Sequence, residues 1–169
     1  MPMINGETNN RDSFVSARMN LTFNYAAGEA ASRFLIALRD EKKIFGTRCP
    51  SCSRLLVPAR SFCPRCFVET TEWIEVGPVG TLVAFAFDQS LQSHARASQE
   101  YADPNKRLCL GLIRFEGADT SLVHRIGEVN PDTLRVGVLV APVFIETRSG
   151  NILDIAYFKP VEADNANSI

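Results

Sequence analysis

Long hydrophobic runs are missing from this sequence: its longest apolar stretches fall far short of the ~20 residues that cross a bilayer, which excludes a membrane-spanning helix. The first residues, Met1-Pro2-Met3-Ile4-Asn5-Gly6-Glu7, are too polar for a signal peptide, so the expected location is the cytoplasm. An excess of one charge is missing too. Eighteen Lys and Arg against nineteen Asp and Glu leave a formal net charge of −1, and the molecule as a whole has no electrostatic pull towards nucleic acid. Histidine is limited to His94 and His124, so any cysteine nucleophile has few candidate bases. A composition of 46% hydrophobic and 22% charged residues excludes disorder for most of the chain, and 169 residues allow one modest core plus an appendage.

Cysteine is what the sequence does have. Four of its five cysteines form two pairs, Cys49-Pro50-Ser51-Cys52 and Cys63-Pro64-Arg65-Cys66, ten residues apart. Each C-x2-C makes a tight knuckle that aims two sulfurs at one point, and two knuckles supply four thiolates to a tetrahedral zinc at about 2.3 Å. The proline after each first cysteine fixes φ and helps form the turn. A disulfide pair suits secreted chains, and a thioredoxin-like redox motif wants a βαβ setting that this sequence lacks. With four sulfur ligands the zinc has no open position, so one structural ion per chain is expected. Where many knuckles carry glycine after the second cysteine, this chain has Ser53 and Phe67. A phenylalanine at positive φ is strained, which predicts a second knuckle of altered geometry.

The fifth cysteine, Cys109, lies in the apolar run Leu108–Ile113 and reads as a small buried hydrophobe. A catalytic Cys109 served by His94 or His124 is the competing reading.

Residues 1–22 are polar and aperiodic and read as an arm ordered only by a partner. An amphipathic helix occupies 23–41: Ala27, Ala30, Ala31, Phe34, Leu35 and Leu38 recur at helical spacing over Tyr25–Asp40, with Asn24 as N-cap. Its apolar stripe covers either its own domain or another subunit. The ribbon takes 42–70. Beyond it the period changes to two, and Trp73–Val76, Thr81–Phe87, Arg107–Phe115, Ser121–Ile126, Val138–Ile145 and Ile152–Phe158 read as strands between Gly, Pro, Asp and Asn turns. Five or six short strands in this length suit a small closed barrel of the OB type over 71–160, followed by a tail at 161–169. The fold class is therefore mainly β: helix, rubredoxin-like zinc ribbon, barrel.

A long connection from Asp88 to Lys106 reads as a binding surface, where His94, Arg96 and Tyr101 either meet a ligand or partner or stand in solvent. Charge is uneven along the chain. Residues 42–68 hold Lys42, Lys43, Arg48, Arg54, Arg60 and Arg65 and no acid, a formal +6, so the remainder must carry −7 to reach the total of −1. A zinc ion on four thiolates lowers the ribbon to about +4. Such a surface suits a phosphate-rich ligand or an acidic protein, although solvated charge also keeps small modules soluble.

The order of these parts resembles a family of zinc-ribbon plus OB-fold proteins, formerly a domain of unknown function, that associate with acyl-CoA enzymes. The resemblance rests on the spaced C-x2-C pairs, Val57-Pro58-Ala59-Arg60 between them, Glu72-Trp73, Gly77-x-x-Gly80-Thr81-Leu82, and Leu134-x-x-Gly137-x-x-Val140, and runs over about residues 30–160. Ala59 stands where the family has a second proline. The resemblance implies a non-catalytic subunit of a thiolase-fold enzyme, whether thiolase, acyltransferase or lipid-transfer-protein-like aldolase. Such a subunit stabilises its partner, helps shape the acyl-CoA channel and shares the CoA thioester. The subgroup it points to is the small subunit of a benzoylsuccinyl-CoA-type thiolase. Arg60 and Arg65 are then the candidates for CoA phosphate or partner contact, because a guanidinium fork suits phosphate. The alternative function is an OB-fold single-strand nucleic-acid binder that stacks bases on Phe85 and Phe87. Loss of any one ligand cysteine is expected to unfold the ribbon, release the partner and leave the barrel standing.

Overall fold

A glycine sets where the N-terminal-side helix begins. In a computed structural model of the chain, which describes residues 25–88 and 108–162, helix α1 spans Glu29–Glu41. Gly28 caps it at φ 83, a backbone that side chains rarely adopt, and the Ser32 N–H donates to Gly28 O at 2.9 Å. The helix is therefore shorter than the expected Tyr25–Asp40, because Tyr25, Ala26 and Ala27 lie ahead of that break; Asn24, the expected cap, lies outside the described residues. At the other end Lys42 turns left-handed, its N–H reaching back to Ala37 O. The apolar stripe is consumed at home: Ala30, Phe34, Ala37 and Leu38 are buried, and Phe34 and Leu38 join the main core.

Three strands make the ribbon sheet: β1 (Ile44–Arg48), β2 (Leu55–Leu56) and β3 (Glu72–Val76), in the order β2-β1-β3 and all antiparallel. The strand expected to open the barrel, Trp73–Val76, is β3 and pairs with β1 from Ile44↔Val76 to Arg48↔Glu72. The period-two signal was sound, but strand pairing is non-local and the alternation carries no record of it.

Five strands close the barrel: β4 (Gly80–Asp88), β5 (Leu108–Phe115), β6 (Leu122–Ile126), β7 (Leu139–Phe144) and β8 (Ile155–Pro160). Their order, β4-β5-β6-β8-β7 with β7 returning to β4, includes one parallel pair, β6 with β8 at Ile126↔Phe158, and is the OB arrangement. Alternation along β5 shows why these residues fit. Cys109, Gly111, Ile113 and Phe115 face in while Leu110, Leu112 and Arg114 face out. Gly111 is needed inside, since a Cβ there would stand 2.6 Å from Leu82 Cδ1 and 2.7 Å from Ile126 Cδ1.

The expected strand Ile152–Phe158 begins later than its apolar run suggests. Ile152–Asp154 is a 3₁₀ turn, closed by a reciprocal box in which the Asn151 side chain accepts from the turn's backbone and Asp154 accepts from the Asn151 N–H. Asp154 is fully buried and accepts from the N–H groups of Ser149 (2.9 Å), Gly150 (2.8 Å) and Asn151 (3.3 Å). Arg148 in the same loop donates to Arg39 O, which ties the barrel to the end of α1.

Ribbon and barrel share one core. Phe34, Leu38, Ile44, Leu55, Val57 and Val76 pack in a single cluster with Leu82, Ile113, Phe115 and Phe158. Polar contacts lock the same seam: the Leu55 N–H donates to Asp119 at 2.9 Å, the Asp119 N–H returns to Leu55 O at 2.9 Å, and Thr120 Oγ1 both accepts from Val57 N–H at 2.7 Å and donates to Val57 O at 2.8 Å. Among the described residues no helix is long and apolar enough to cross a membrane.

Candidate metal centre

Strand β1 delivers Cys49 to the end of the ribbon, and the two knuckles then repeat one another fourteen residues apart. Cys49 N–H donates to Arg54 O and Ser53 N–H to Cys49 O; Cys63 N–H donates to Val68 O and Phe67 N–H to Cys63 O, all at 2.9 Å. Ser53 sits at φ 59 and Phe67 at φ 56. The second knuckle therefore keeps the geometry of the first, contrary to the expectation drawn from Phe67. The backbone hydrogen bonds of the turn prevail over a left-handed phenylalanine that costs about 1–2 kcal/mol.

Both first cysteines are buried and both second cysteines half-buried, as the repeated knuckle geometry places them. The four Sγ atoms lie within 4.8 Å of one another, and Cys52 and Cys63 approach to 3.8 Å. Tetrahedral sites with Zn–S near 2.3 Å place sulfurs about 3.8 Å apart, the Cys52–Cys63 spacing, so the cluster fits zinc once its wider pairs close by up to about 1 Å. The Cys63 thiol is pulled down to about 7 by the Cys66 N–H, with burial opposing and the Arg65 N–H and the thiols of Cys49 and Cys52 assisting, which favours the thiolate a metal binds. No disulfide joins the cysteines.

A hydroxyl clamp fixes the crossing between the knuckles. Fully buried Thr47 donates to Arg60 O at 2.9 Å and accepts from Arg60 N–H at 3.0 Å, and the Thr70 hydroxyl also donates to Arg60 O. Only the Arg60 backbone is used there. Its side chain and that of Arg65 are exposed and form no ion pair with a described residue, whereas Lys43 reaches Glu75 at 2.9 Å and Arg48 reaches Glu72 at 3.5 Å. The structure thus leaves both candidate arginines at the ribbon surface, their guanidinium groups without an ion-pair partner among the described residues.

The other candidates fall inside the barrel or outside the described residues. Cys109 is buried and its thiol is pushed up to about 11 by desolvation, so it stays protonated at neutral pH. His124 also faces in, with Nε2 3.2 Å from Ile152 O and Nδ1 without a partner; no hydrogen bond joins it to Cys109. Phe85 and Phe87 pack against the core and against each other edge to face at 5.7 Å. His94, Arg96, Tyr101, the arm 1–22 and the last residues, 163–169, lie outside the described residues. The Thr47–Arg60–Thr70 clamp, the Asp119–Thr120 seam and Asp154 went unread in the sequence. Asn151-x-x-Asp154, a box pattern, was the one local signal for any of them.

Fold and site together define a zinc-ribbon plus OB-barrel protein. Residues 37–72 match the family described as ChsH2, rubredoxin-like zinc ribbon domain. Two solved structures share the fold. A protein of unknown function from the DUF35 family of Sulfolobus solfataricus is 24% identical, with a TM-score of 0.53, over 69% of this chain and 78% of its own. A chain of an Ltp2-ChsH2(DUF35) aldolase is 17% identical, with a TM-score of 0.53, over 80% of this chain and 98% of its own. A search of the curated proteins finds no match. The resemblance to the zinc-ribbon/OB-fold family, read first from the cysteine spacing and the barrel motifs, is borne out by the ribbon match and the shared fold.

Proposed function

We propose that the chain is a zinc-binding accessory subunit of a thiolase-like acyl-CoA enzyme. It holds one structural zinc on Cys49, Cys52, Cys63 and Cys66, stabilises a thiolase-fold partner and helps form the acyl-CoA site. The observation that carries this reading is the closed four-sulfur cluster, which offers an ion four ligands and no coordination position for substrate. A protonated, buried Cys109 and a His124 held by Ile152 O support it, because neither is set up for nucleophilic chemistry. So does the similar chain in an aldolase that pairs Ltp2 with ChsH2. Within that class the partner's reaction is thiolysis of a 3-oxoacyl-CoA or a related acyl transfer or aldol cleavage, with Arg60 and Arg65 as the contacts for CoA phosphate or partner.

The nucleic-acid alternative loses its platform. OB barrels hold single strands on the outer face of their second and third strands. Here that face carries the aliphatic Leu110, Leu112 and Val123 beside Arg114 and Arg125 and offers, among the described residues, no aromatic on which a base could stack, while Phe85 and Phe87 pack against the core. Co-expression tests the accessory reading: a tagged chain should carry one zinc and co-purify in a stable hetero-oligomer with the thiolase-fold protein encoded beside its gene. A chain that stays monomeric in that experiment, or turns over acyl-CoA alone, overturns it.

A further inference from the structure

Phe67 combines two unfavourable features. Its backbone is left-handed at φ 56, where glycine would be relaxed, and its ring is 83% exposed, so burial gives its own fold nothing in return. Phe62 lies on the same hairpin, bridged to Glu69, and is 60% exposed. Exposed aromatics held on a strained, hydrogen-bonded turn mark a surface that another molecule covers. On the same two knuckles and the segment that joins them, the side chains of Arg54, Arg60 and Arg65 are exposed and form no ion pair with a described residue.

We propose that the tip of the second knuckle is the chain's docking contact with its protein partner, Phe67 and Phe62 entering an apolar socket while Arg54, Arg60 and Arg65 face an acidic rim. This deepens the accessory-subunit reading and rests on it. Charge complementarity sets the chemistry of the rim, because residues 42–68 hold six Lys and Arg and no acid, and the nearest exposed acid on the hairpin is Glu69. Aromatic anchors flanked by arginine are the usual composition of an interface hot spot. A nucleic-acid strand fits less well. Three free arginines neutralise few phosphates, and single-strand sites need aromatics in series along a basic groove.

Phe67→Gly separates docking from a structural role because the two predict opposite signs. Glycine relaxes the left-handed backbone, so the zinc-loaded full-length variant should keep its metal and melt at the wild-type temperature or above it. Its affinity for the thiolase-fold protein encoded beside the gene, measured by titration calorimetry, should fall by about tenfold or more. Phe62→Ser should weaken the complex similarly, and Arg65→Glu should weaken it most at low salt. A wild-type complex whose affinity Phe67→Gly leaves unchanged overturns the docking contact and leaves the accessory reading standing. No wild-type complex at all overturns both. Loss of affinity accompanied by a lower melting temperature assigns Phe67 to the fold and overturns the proposal, as does salt-dependent binding of a short single-stranded oligonucleotide that Phe67→Gly abolishes.

Discussion

Asp154→Asn tests whether one buried carboxylate organises the loop that ties barrel to helix. The wild-type carboxylate is fully buried and accepts from three N–H groups, Ser149 on Oδ1 at 2.9 Å and Gly150 and Asn151 on Oδ2 at 2.8 and 3.3 Å. Asparagine keeps the shape but has one acceptor oxygen, so at least one backbone N–H must face an NH2. Losing that charge-assisted bond costs about 2 kcal/mol, and the bonds that remain lose about 0.5–1 kcal/mol each as the charge disappears, about 3–4 kcal/mol in all. For a chain of this size the melting temperature should fall by roughly 10 °C, read by circular dichroism at neutral pH. The pH profile gives an independent check. Burial raises the carboxyl's affinity for protons, but the three amides and Arg148 outweigh it, and the folded group sits below the ordinary 3.8. Its contribution is therefore complete above about pH 4 and is lost as pH falls through the folded value, so the gap between wild type and variant should narrow in that range. A drop under about 2 °C, or a gap that stays constant in acid, refutes the reasoning.

The shared core revises the expectation that the barrel stands when the ribbon unfolds: chelating zinc, or replacing Cys52 with Ser, should lower the stability of the whole ribbon–barrel unit in one cooperative transition, because Leu55 and Val57 of the ribbon pack with Leu82 and Phe115 of the barrel. Two separate transitions, with the barrel melting unchanged, would count against that shared core. His124 should make the protein sensitive to mild acid: burial holds its folded pKa below the ordinary 6.5 despite the Ile152 carbonyl, so below about pH 6.5 the unfolded chain takes up a proton that the folded chain refuses. Urea titrations from neutral to about pH 5 should show stability falling in wild type and a flatter profile in His124→Gln; equal slopes would end the argument. Gly111→Ala pushes a methyl to within 2.6 Å of Leu82 Cδ1 and 2.7 Å of Ile126 Cδ1. It should cost about 1–3 kcal/mol by overpacking, and an unshifted melting temperature would mean that the barrel has slack there.

What was legible in the sequence was local. The paired C-x2-C motifs carry their own geometry, and the alternation of Cys109, Gly111, Ile113 and Phe115 with Leu110, Leu112 and Arg114 announces a strand with one buried face. The helix boundary was missed because alanines at 27, 30 and 31 keep helical spacing across Gly28, whose positive φ outweighs the pattern. Sheet membership of β3, the hydroxyl clamp on Arg60 and the seam between Leu55 and Asp119 were out of reach for a different reason. The seam spans 64 residues of sequence, and its donors and acceptors are ordinary Asp, Thr and backbone groups that any turn could carry. Phe67 lay between these cases. Its strain was readable, but local sterics alone argued for a changed knuckle, and only the hydrogen bonds repeated from Cys49–Arg54 to Cys63–Val68 show that the turn holds and the side chain accepts the cost.

That choice of strained backbone over altered geometry bears on how the ribbon works. A knuckle hung on a free linker would lose orientational freedom on docking, and that ordering would subtract from its affinity. Here β1 runs from the helix cap to Cys49 between two strands, Val57 is bound to Thr120, and the Arg60 carbonyl accepts from Thr47 and Thr70, so the second knuckle leaves a mount already fixed to the barrel. Zinc completes the mount by joining the two knuckles at the end away from α1. If the proposed docking holds, an aromatic presented from such a mount needs little further ordering to meet a partner, which gives a physical reason for the backbone strain at Phe67 and for a cysteine cluster that leaves no position open for chemistry.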